Sequence, residues 1–457
     1  MMREGRAVIM SAAMGLKVCK FGGTSVADAD QLRKVQQIVK SDPDRRFIVP
    51  SAPGKRTPDD RKITDLLYLC HAHATQQLPF DDVFGVIEAR YEQIAGDLDL
   101  KVELAGALAK IKSAITAGAS ADYAASRGEY LNGLIVAALL DAPMIDPADV
   151  IRFDDHGRFD AEQTQALMSA RLTGDAPAVV PGFFGATRDG QIKTFSRGGS
   201  DITGAIVARA ASADVYENWT DVSGLLAADP RIVDDPQTIE MLSYRELREL
   251  AYMGASVMHD EAIFPVRQAG IPVNIRNTNR PGDAGTLIVP ETEPIAHTGS
   301  ITGIAGRKDF TIIALEKALM NAEIGFGRRL LSVLQDHEVS FEHMPSGIDT
   351  MSVVIADSEL DGKLERVTQE IHQKCRPDGL TTYADMALIA TVGRGMASTP
   401  GMAARLFGAL GAANINIRMI DQGSSEINII VGVRTGDFEA AVRAIYEDFL
   451  GSTGSGA

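Results

Sequence analysis

Apolar and polar positions follow two rhythms at the start of the chain. Leu16–Phe21 is a short apolar run of buried-strand length, and it leads into Gly22-Gly23-Thr24-Ser25. From about Asp28 the period becomes helical, with Leu32, Val35, Ile38 and Val39 on one face. Asp28 and Gln31 have capping-box spacing, and the helix must stop near Pro43. Phe47–Val49 reads as a second strand, and a strand–helix–strand opening favours a parallel sheet.

Helical spacing returns from Asp81 to about Gly118, through Val83, Ile87, Tyr91 and Ile94 and then Leu104, Leu108, Ile111 and Ile115. Another helix carries Leu131, Leu134, Ile135, Ala138 and Leu139. Strands and helices then alternate: a strand at Ala178–Phe184, a helix after Asp201, a strand at Val215–Trp219, a helix near Tyr244–Met253, a strand at Val273–Ile275. The turn-rich segment Asn277–Gly285 precedes a last strand, Thr286–Val289. Residues 15–297 therefore read as one α/β domain, closing in a linker over Glu291–Ser300.

The last third contains an internal repeat. A shift of 76 places Gly325 on Gly401, Leu330 on Leu406, Leu334 on Leu410, Val339 on Ile415, Val353 on Ile429 and Val354 on Ile430. Each copy reads strand, glycine-started helix, strand, strand, helix. The second copy lacks a fourth strand of its own, whereas the first has one near Thr381–Ala384. Ile301–Ile304, upstream of both, is expected to complete the second sheet, which inserts the first copy within the second. The divisions are 298–306 for that strand, 307–385 for the first copy and 386–457 for the second.

Composition narrows the classes. Hydrophobic residues are 45% and charged residues 23%, which excludes global disorder. The net charge of −16, without a long basic stripe, argues against nucleic acid as the main partner. Cys19, Cys70 and Cys375 are odd in number and widely spaced, so neither a disulfide framework nor a zinc pattern follows; a reducing, cytoplasmic compartment fits. No apolar run reaches the roughly 18 residues of a membrane helix. Residues 1–14 read as a flexible extension or an upstream start, and Gly451–Ala457 as a flexible tail.

Familiar phosphate motifs are absent: there is no GxxxxGK[ST], no kinase HRD–DFG set and no GxGxxG after a strand, nor is there an HExxH. Four segments remain. Lys20-Phe21-Gly22-Gly23-Thr24-Ser25 joins a strand end to a turn, where successive N–H groups can form an anion nest. Lys20 shares a strand face with Leu16 and Val18, so it needs an anionic partner unless its ammonium reaches water. Ser196-Arg197-Gly198-Gly199-Ser200-Asp201 is a second Gly-Gly turn. Ser200 or Asp201 can cap the following helix, and Arg197 suits a carboxylate or phosphate. Ser126-Arg127-Gly128-Glu129 matches a capping box at a helix start; Glu129 is alternatively a partner for a substrate ammonium. Trp219-Thr220-Asp221-Val222, with Asp229-Pro230-Arg231 beyond, follows a strand end. Its polar pair is placed for a nucleotide, while Trp219 is equally a core residue.

This ordered set resembles the aspartate kinases: KFGGTS, SRGE, SRGGSD, WTDV and DPR occur in that family's order, and the repeat resembles its tandem ACT domains. Asn414-Ile415-Asn416-Ile417 with Gly423–Asn428 strengthens the second ACT match. The resemblance implies an amino-acid kinase fold, with a mainly parallel central sheet and helices on both faces, plus two βαββαβ ACT-type domains. It implies transfer of a phosphoryl group from ATP, with Mg²⁺ carried by the nucleotide and no protein metal site, to the β-carboxylate of L-aspartate. By the matching motifs Arg197 grips the α-carboxylate and Glu129 the ammonium. Thr64, Gly198 and Ser200 line the substrate pocket. Lys20 neutralises the transferring phosphoryl group, and Asp201 orients Lys20. Gly22, Gly23, Thr220, Asp221, Arg231 and the position of Ser256 face the nucleotide.

Two departures stand out. Ser256 occupies the place of the lysine in the usual GAKVLHP motif, and the loop after Ser51 is long and basic. Lys55, Arg56, Arg61 and Lys62 are candidate substitutes for the lost lysine, or else a solvated face. For regulation the resemblance implies an amino-acid effector, lysine ahead of threonine, near Met320, Gly325, Glu342, Ser346 and Asp349. It also implies a homodimer or dimer of dimers through the ACT domains. The rivals are a kinase for another amino acid, a non-catalytic amino-acid sensor, and a bifunctional kinase–dehydrogenase, for which no dinucleotide fingerprint is present.

Overall fold

In the computed structural model, residues 15–173, 176–196, 198–255, 258, 260–292 and 301–451 are described. The 1–14 extension, most of the linker and the tail beyond Gly451 lie outside them. The chain divides into two units. One holds the described residues of Met1–Leu225, Thr238–Leu247 and Val257–Ala296; the other holds those of Leu226–Gln237, Arg248–Ser256 and His297–Ala457.

The strands of the first unit are β1 (Lys17–Phe21), β2 (Arg45–Pro50), β3 (Ala178–Val179), β4 (Phe184–Ala186), β5 (Ile192–Thr194), β6 (Val215–Thr220), β7 (Met241–Ser243), β8 (Val273–Asn277) and β9 (Thr286–Val289). Seven form one sheet in the order β3-β2-β1-β6-β8-β9-β7, parallel except between β8 and β9. β4 and β5 form a separate antiparallel pair. The expected strand Ala178–Phe184 is therefore split: β3 covers Ala178–Val179, the Val180 and Gly182 N–H groups still donate to the Ile48 and Pro50 carbonyls, and the chain turns at Phe183, with φ 83°, into β4.

The helices are α1 (Ala29–Lys40), α2 (Ile63–Thr75), α3 (Asp81–Asp97), α4 (Leu104–Thr116), α5 (Ala121–Leu140), α6 (Ala161–Arg171), α7 (Gly199–Ala210), α8 (Tyr244–Tyr252) and α9 (Phe264–Ala269). Asp28 caps α1 by accepting from the Gln31 N–H at 2.9 Å, and Leu32, Val35 and Ile38 are buried beneath it. Each such side chain contributes about 1.5–3 kcal/mol relative to exposure. One sheet face carries Cys19, Phe21, Ile48 and Trp219 into a core with α1–α5. The opposite face carries Lys20 and Asn218 towards Asp201 on α7. Gly204 of α7 admits the Tyr216 ring, since a Cβ there would lie 2.5 Å from its hydroxyl oxygen.

Two capping assignments are corrected. α5 begins five residues before Ser126, where Ser120 accepts from the Tyr123 N–H at 3.1 Å, so Ser126 and Glu129 are mid-helix. Local spacing resembled a cap because i and i+3 are also neighbours within a helix. In α7 the N-cap is Gly198, at φ 55°, and Ser200 and Asp201 lie inside the first turn.

The second unit carries β10 (Gly303–Glu316), α10 (Phe326–Asp336), β11 (Thr350–Ala356), α11 (Leu364–Cys375), β12 (Gly379–Val392), α12 (Met402–Ala412), β13 (Met419–Asp421), β14 (Asn428–Arg434) and α13 (Phe438–Phe449). The shift of 76 maps α10 onto α12 end to end. Gly325 and Gly401 cap them with left-handed φ of 82° and 89°, a conformation glycine adopts without strain. Two separate sheets were expected, but one five-stranded sheet forms, ordered β11-β10-β12-β14-β13. The reason is strand length: β10 and β12 each run through both copies. Gly303–Arg307 pair with Leu388–Val392, and Phe310–Glu316 pair with Gly379–Met386, with register shifts between. Among the described residues no helix is long and apolar enough to cross a membrane.

Candidate active site

β1 ends in an apolar interior, and Lys20 is its one charged side chain on the α7 face. The ion partner that burial demands is Asp201: Lys20 Nζ lies 2.6 Å from Asp201 Oδ1. Asn218 of β6 donates from Nδ2 to the same oxygen at 2.8 Å. The Tyr216 hydroxyl donates to the Asp201 backbone carbonyl at 3.1 Å. Strand and helix thus hold one carboxylate against one ammonium at the C-terminal ends of the central strands, where open α/β sheets bind ligands.

The Gly22-Gly23 turn lies directly beyond. The Gly22 N–H donates to the Trp219 carbonyl at 2.9 Å, and a Cβ on Gly22 would stand 3.6 Å from Lys20 Nζ. Gly54 donates its N–H to the Gly23 carbonyl at 2.9 Å. A Cβ on Gly54 would come within 2.6 Å of the Gly23 carbonyl carbon, so only glycine fits. The loop 52–62 is fastened from below by buried Arg90, which donates to the Ala27 and Gly54 carbonyls and pairs with Asp60 at 2.5 Å. Burial pushes the Asp60 carboxyl up, but Arg56 and Arg90 outweigh it and hold it well below the usual carboxylate range. Arg56 is therefore committed to Asp60, at 3.0 Å. Lys55, Arg61 and Lys62 are exposed, and Lys55 follows Gly54 directly.

Glu129 lies on the buried side of α5. Its Oε2 has no hydrogen-bond partner among the described residues. Burial pushes its carboxyl up to about 8, against an N–H bond from Ala52. One turn on, fully buried Asn132 donates to the Ser51 carbonyl at 2.6 Å while its Oδ1 is left without a partner. Two orphaned acceptors side by side on one helix are costly unless a donor arrives. Tyr91 fixes this stretch by donating to the Gly128 carbonyl at 2.7 Å. A Cβ on Gly128 would lie 2.9 Å from Ala52 Cβ and 3.3 Å from Ile63, which brings the start of α2 alongside; Thr64 follows Ile63 and is half-buried. Arg127 turns away, stacked near Tyr123, Tyr130 and Phe184 and bonded to the Ser126 hydroxyl.

Ala52 links the two halves. Its N–H serves Glu129, and its carbonyl lies against Gly23. Ser200 is buried against Gly182; Arg197 lies outside the described residues. Thr220 ends β6 and Asp221 follows it, with the Thr220 hydroxyl donating to Asp221 at 3.2 Å and Asn277 donating to the Asp221 carbonyl. Trp219 is core, stacked on Phe21 and flanked by Arg45 and Arg276. Arg231 belongs to the second unit, where its guanidinium holds Asp229 at 2.6 Å. Ser256 lies outside the described residues. Among those described, no group of three or more His, Cys, Asp or Glu is placed to hold a metal.

In the second unit, Met320 is buried and Gly325 caps α10. Asp349 joins their loop by accepting from the Leu319 N–H at 2.8 Å, and the Asn321 N–H donates to the Ile348 carbonyl. Ser346 bridges to Met351. Glu342 stands with Arg307 at 3.6 Å. Sequence reasoning missed Asn132, Asn218 and the Ala52 N–H. The two asparagines had a signal, each being a polar residue at an inward position; a backbone donor has none.

The amino acid kinase family matches residues 15–277, and the ACT domain matches 389–449. Aspartokinase 3 of Bacillus subtilis is 40% identical over 95% of this chain and 99% of its own length. The crystal structure of Clostridium acetobutylicum aspartate kinase superimposes with a TM-score of 0.91 at 56% identity, covering 95% of this chain and 100% of that one. Escherichia coli aspartokinase III, solved with aspartate and ADP, gives a TM-score of 0.70 at 26% identity over 95% and 99%. With lysine and aspartate, the same enzyme gives 0.72 at 25% over 95% and 99%. The chain thus belongs to the amino acid kinase family and, within it, to the aspartokinases with a C-terminal ACT domain.

Proposed function

We propose that this aspartate kinase transfers the γ-phosphoryl group of Mg-ATP to the β-carboxylate of L-aspartate, giving 4-phospho-L-aspartate and ADP, the entry step to lysine, threonine and methionine. The observation that carries the reading is the pair of orphaned acceptors, Glu129 Oε2 and Asn132 Oδ1, joined through Ala52 to the Lys20 turn. A substrate ammonium supplies the donors that this pair lacks, and a phosphate needs the donors of the Lys20 turn. The complex of the E. coli relative with aspartate and ADP supports both ligands.

A carboxylate is already a nucleophile at neutral pH, so no general base is needed. A β-carboxylate oxygen attacks the γ-phosphorus, the bond to the bridging oxygen breaks, and ADP leaves with that electron pair. Positioning and charge neutralisation carry the step. Lys20 neutralises the transferring group and Asp201 keeps its ammonium in place. The N–H groups of the Gly22-Gly23 turn receive phosphate, with Thr220 and Asp221 at the nucleotide side. Glu129 holds the ammonium beside Thr64. Arg197, with Gly198 and Ser200, takes the α-carboxylate. Mg²⁺ arrives with the nucleotide and supplies further charge neutralisation.

Lysine is the effector we assign to the loops of Met320–Gly325 and Ser346–Asp349; Glu342 lies apart from them, with its N–H on the Val354 carbonyl, and the lysine complex of the E. coli relative supports the effector. Exposed Leu319, Ile324 and Ile348 on those loops support a homodimer through this ACT copy. Three free, buried cysteines support a cytoplasmic setting. The test is ADP release with aspartate, glutamate and N-acetylglutamate, each with and without lysine or threonine. Turnover with aspartate alone, inhibited by lysine, is expected. Turnover with another acid, or amino-acid binding without turnover, overturns the reading.

A further inference from the structure

We propose that Asn218 is a positioning residue for phosphoryl transfer, acting through Asp201 on Lys20. The proposal rests on the roles given above to Lys20 and Asp201. Asn218 and Lys20 are register partners on adjacent parallel strands, so their side chains leave the sheet on the same face at the same level. Both end on one atom, Asp201 Oδ1, at 2.8 and 2.6 Å. Asn218 is 5% exposed, on a strand whose other side chains facing α7 include the buried ring of Tyr216. An apolar residue of the same size would fill this place without desolvating an amide.

The chemistry of the amide explains the choice. Only Nδ2 of an asparagine can donate to a carboxylate, so the contact fixes the side chain's orientation. As a neutral donor, Asn218 holds Asp201 without competing with Lys20 for its charge. A carboxylate bonded to Lys20 alone would follow the ammonium as that group leans towards an incoming phosphate past Gly22. Anchored by Asn218 at the side chain and by Tyr216 at its backbone carbonyl, Asp201 keeps the ammonium at one point beyond the strand end. Such fixed charge acts on the transition state and therefore on kcat. Glu129 and Asn132 sit on a different element, and Ser200, although on α7, packs on Gly182 and not on the Asn218 amide, so aspartate affinity changes less than kcat.

The experiment measures kcat, and KM for aspartate and for ATP, in full-length Asn218→Leu and Asn218→Ser, with Lys20→Met in parallel and folding checked by circular dichroism and melting. Serine is too short to reach Asp201 but burdens folding differently from leucine. In both Asn218 variants kcat is expected to fall about tenfold or more, with aspartate KM within about twofold. A kcat within about twofold of the parent in either folded variant overturns the proposal, as does a rise in aspartate KM at unchanged kcat. If Lys20→Met itself retains turnover, the failure lies with the site reading; if it abolishes turnover while the Asn218 variants do not, only the role of Asn218 fails.

Discussion

Lys20 Nζ and Asp201 Oδ1 stand 2.6 Å apart, with only 10% and 18% of their side chains exposed. An ammonium this enclosed is already desolvated and already aimed, which is what stabilising developing charge on a phosphoryl group requires. Lys20→Met is expected to cost roughly 100–1,000-fold in kcat. Asp201→Asn, which keeps the shape and loses the charge, is expected to lower kcat while the fold persists. Steady-state kinetics on both variants check this; near-normal turnover in Lys20→Met removes the assigned role.

Glu129 carries a pH signature. Its carboxyl sits at about 8 in the free protein because it is buried. With the role proposed for Glu129, a substrate ammonium favours the ionised form, so aspartate binding is expected to release a proton below that value. The kcat/KM for aspartate is expected to rise with pH and level off near 8, and Glu129→Gln is expected to lose that limb. Stability runs the other way. The folded value lies above the ordinary 4.5, so the folded chain holds a proton that the unfolded chain has lost. That contribution is fully present below 4.5 and disappears as pH rises to about 8. Melting of the ligand-free protein across this range should therefore fall less steeply with pH in Glu129→Gln.

Much of this was legible in the sequence, for identifiable reasons. Asp28 was readable as a cap because capping is local chemistry. The repeat was readable because Gly325 and Gly401 meet the same backbone demand at the same offset. Lys20 on an apolar face left two readings, an anionic partner or an ammonium reaching water, and Asp201 at 2.6 Å is the first. The failures are of a different kind. Ser126 and Glu129 matched a cap because spacing alone cannot tell a helix start from its middle. The continuous β10 and β12 depend on pairing between residues far apart in the chain, from Glu316 with Gly379 to Gly303 with Val392, which no local pattern encodes. Asn218 becomes meaningful only once the register sets it level with Lys20.

Gly54 tests the turn independently of any charge. A Cβ there would lie 2.6 Å from the Gly23 carbonyl carbon and 2.9 Å from the Thr24 nitrogen. Gly54→Ala must push the Gly22-Gly23 turn aside, with about 1–3 kcal/mol of destabilisation. The ATP KM is expected to rise more than the aspartate KM. Denaturant titration and a two-substrate kinetic matrix check both parts; unchanged ATP KM in a folded variant would contradict the placement of the nucleotide.

Ile324 is 97% exposed, Leu319 74% and Ile348 70%, on loops joined by backbone hydrogen bonds. Exposed apolar residues gathered this way are expected at an interface between copies. Ile324→Asp should shift the protein from dimer towards monomer in sedimentation velocity and weaken inhibition by lysine. A sedimentation profile identical to the parent would contradict the assigned surface.

In the proposed function, the Lys20 turn and the Glu129 pocket serve one acyl phosphate-forming reaction on aspartate. Trapping with hydroxylamine tests it most directly. With Mg-ATP and aspartate, the protein should yield aspartyl hydroxamate in step with ADP release. It should yield none with glutamate, and Lys20→Met should all but abolish the product. ADP release without hydroxamate, or hydroxamate formed equally well from glutamate, would contradict the account.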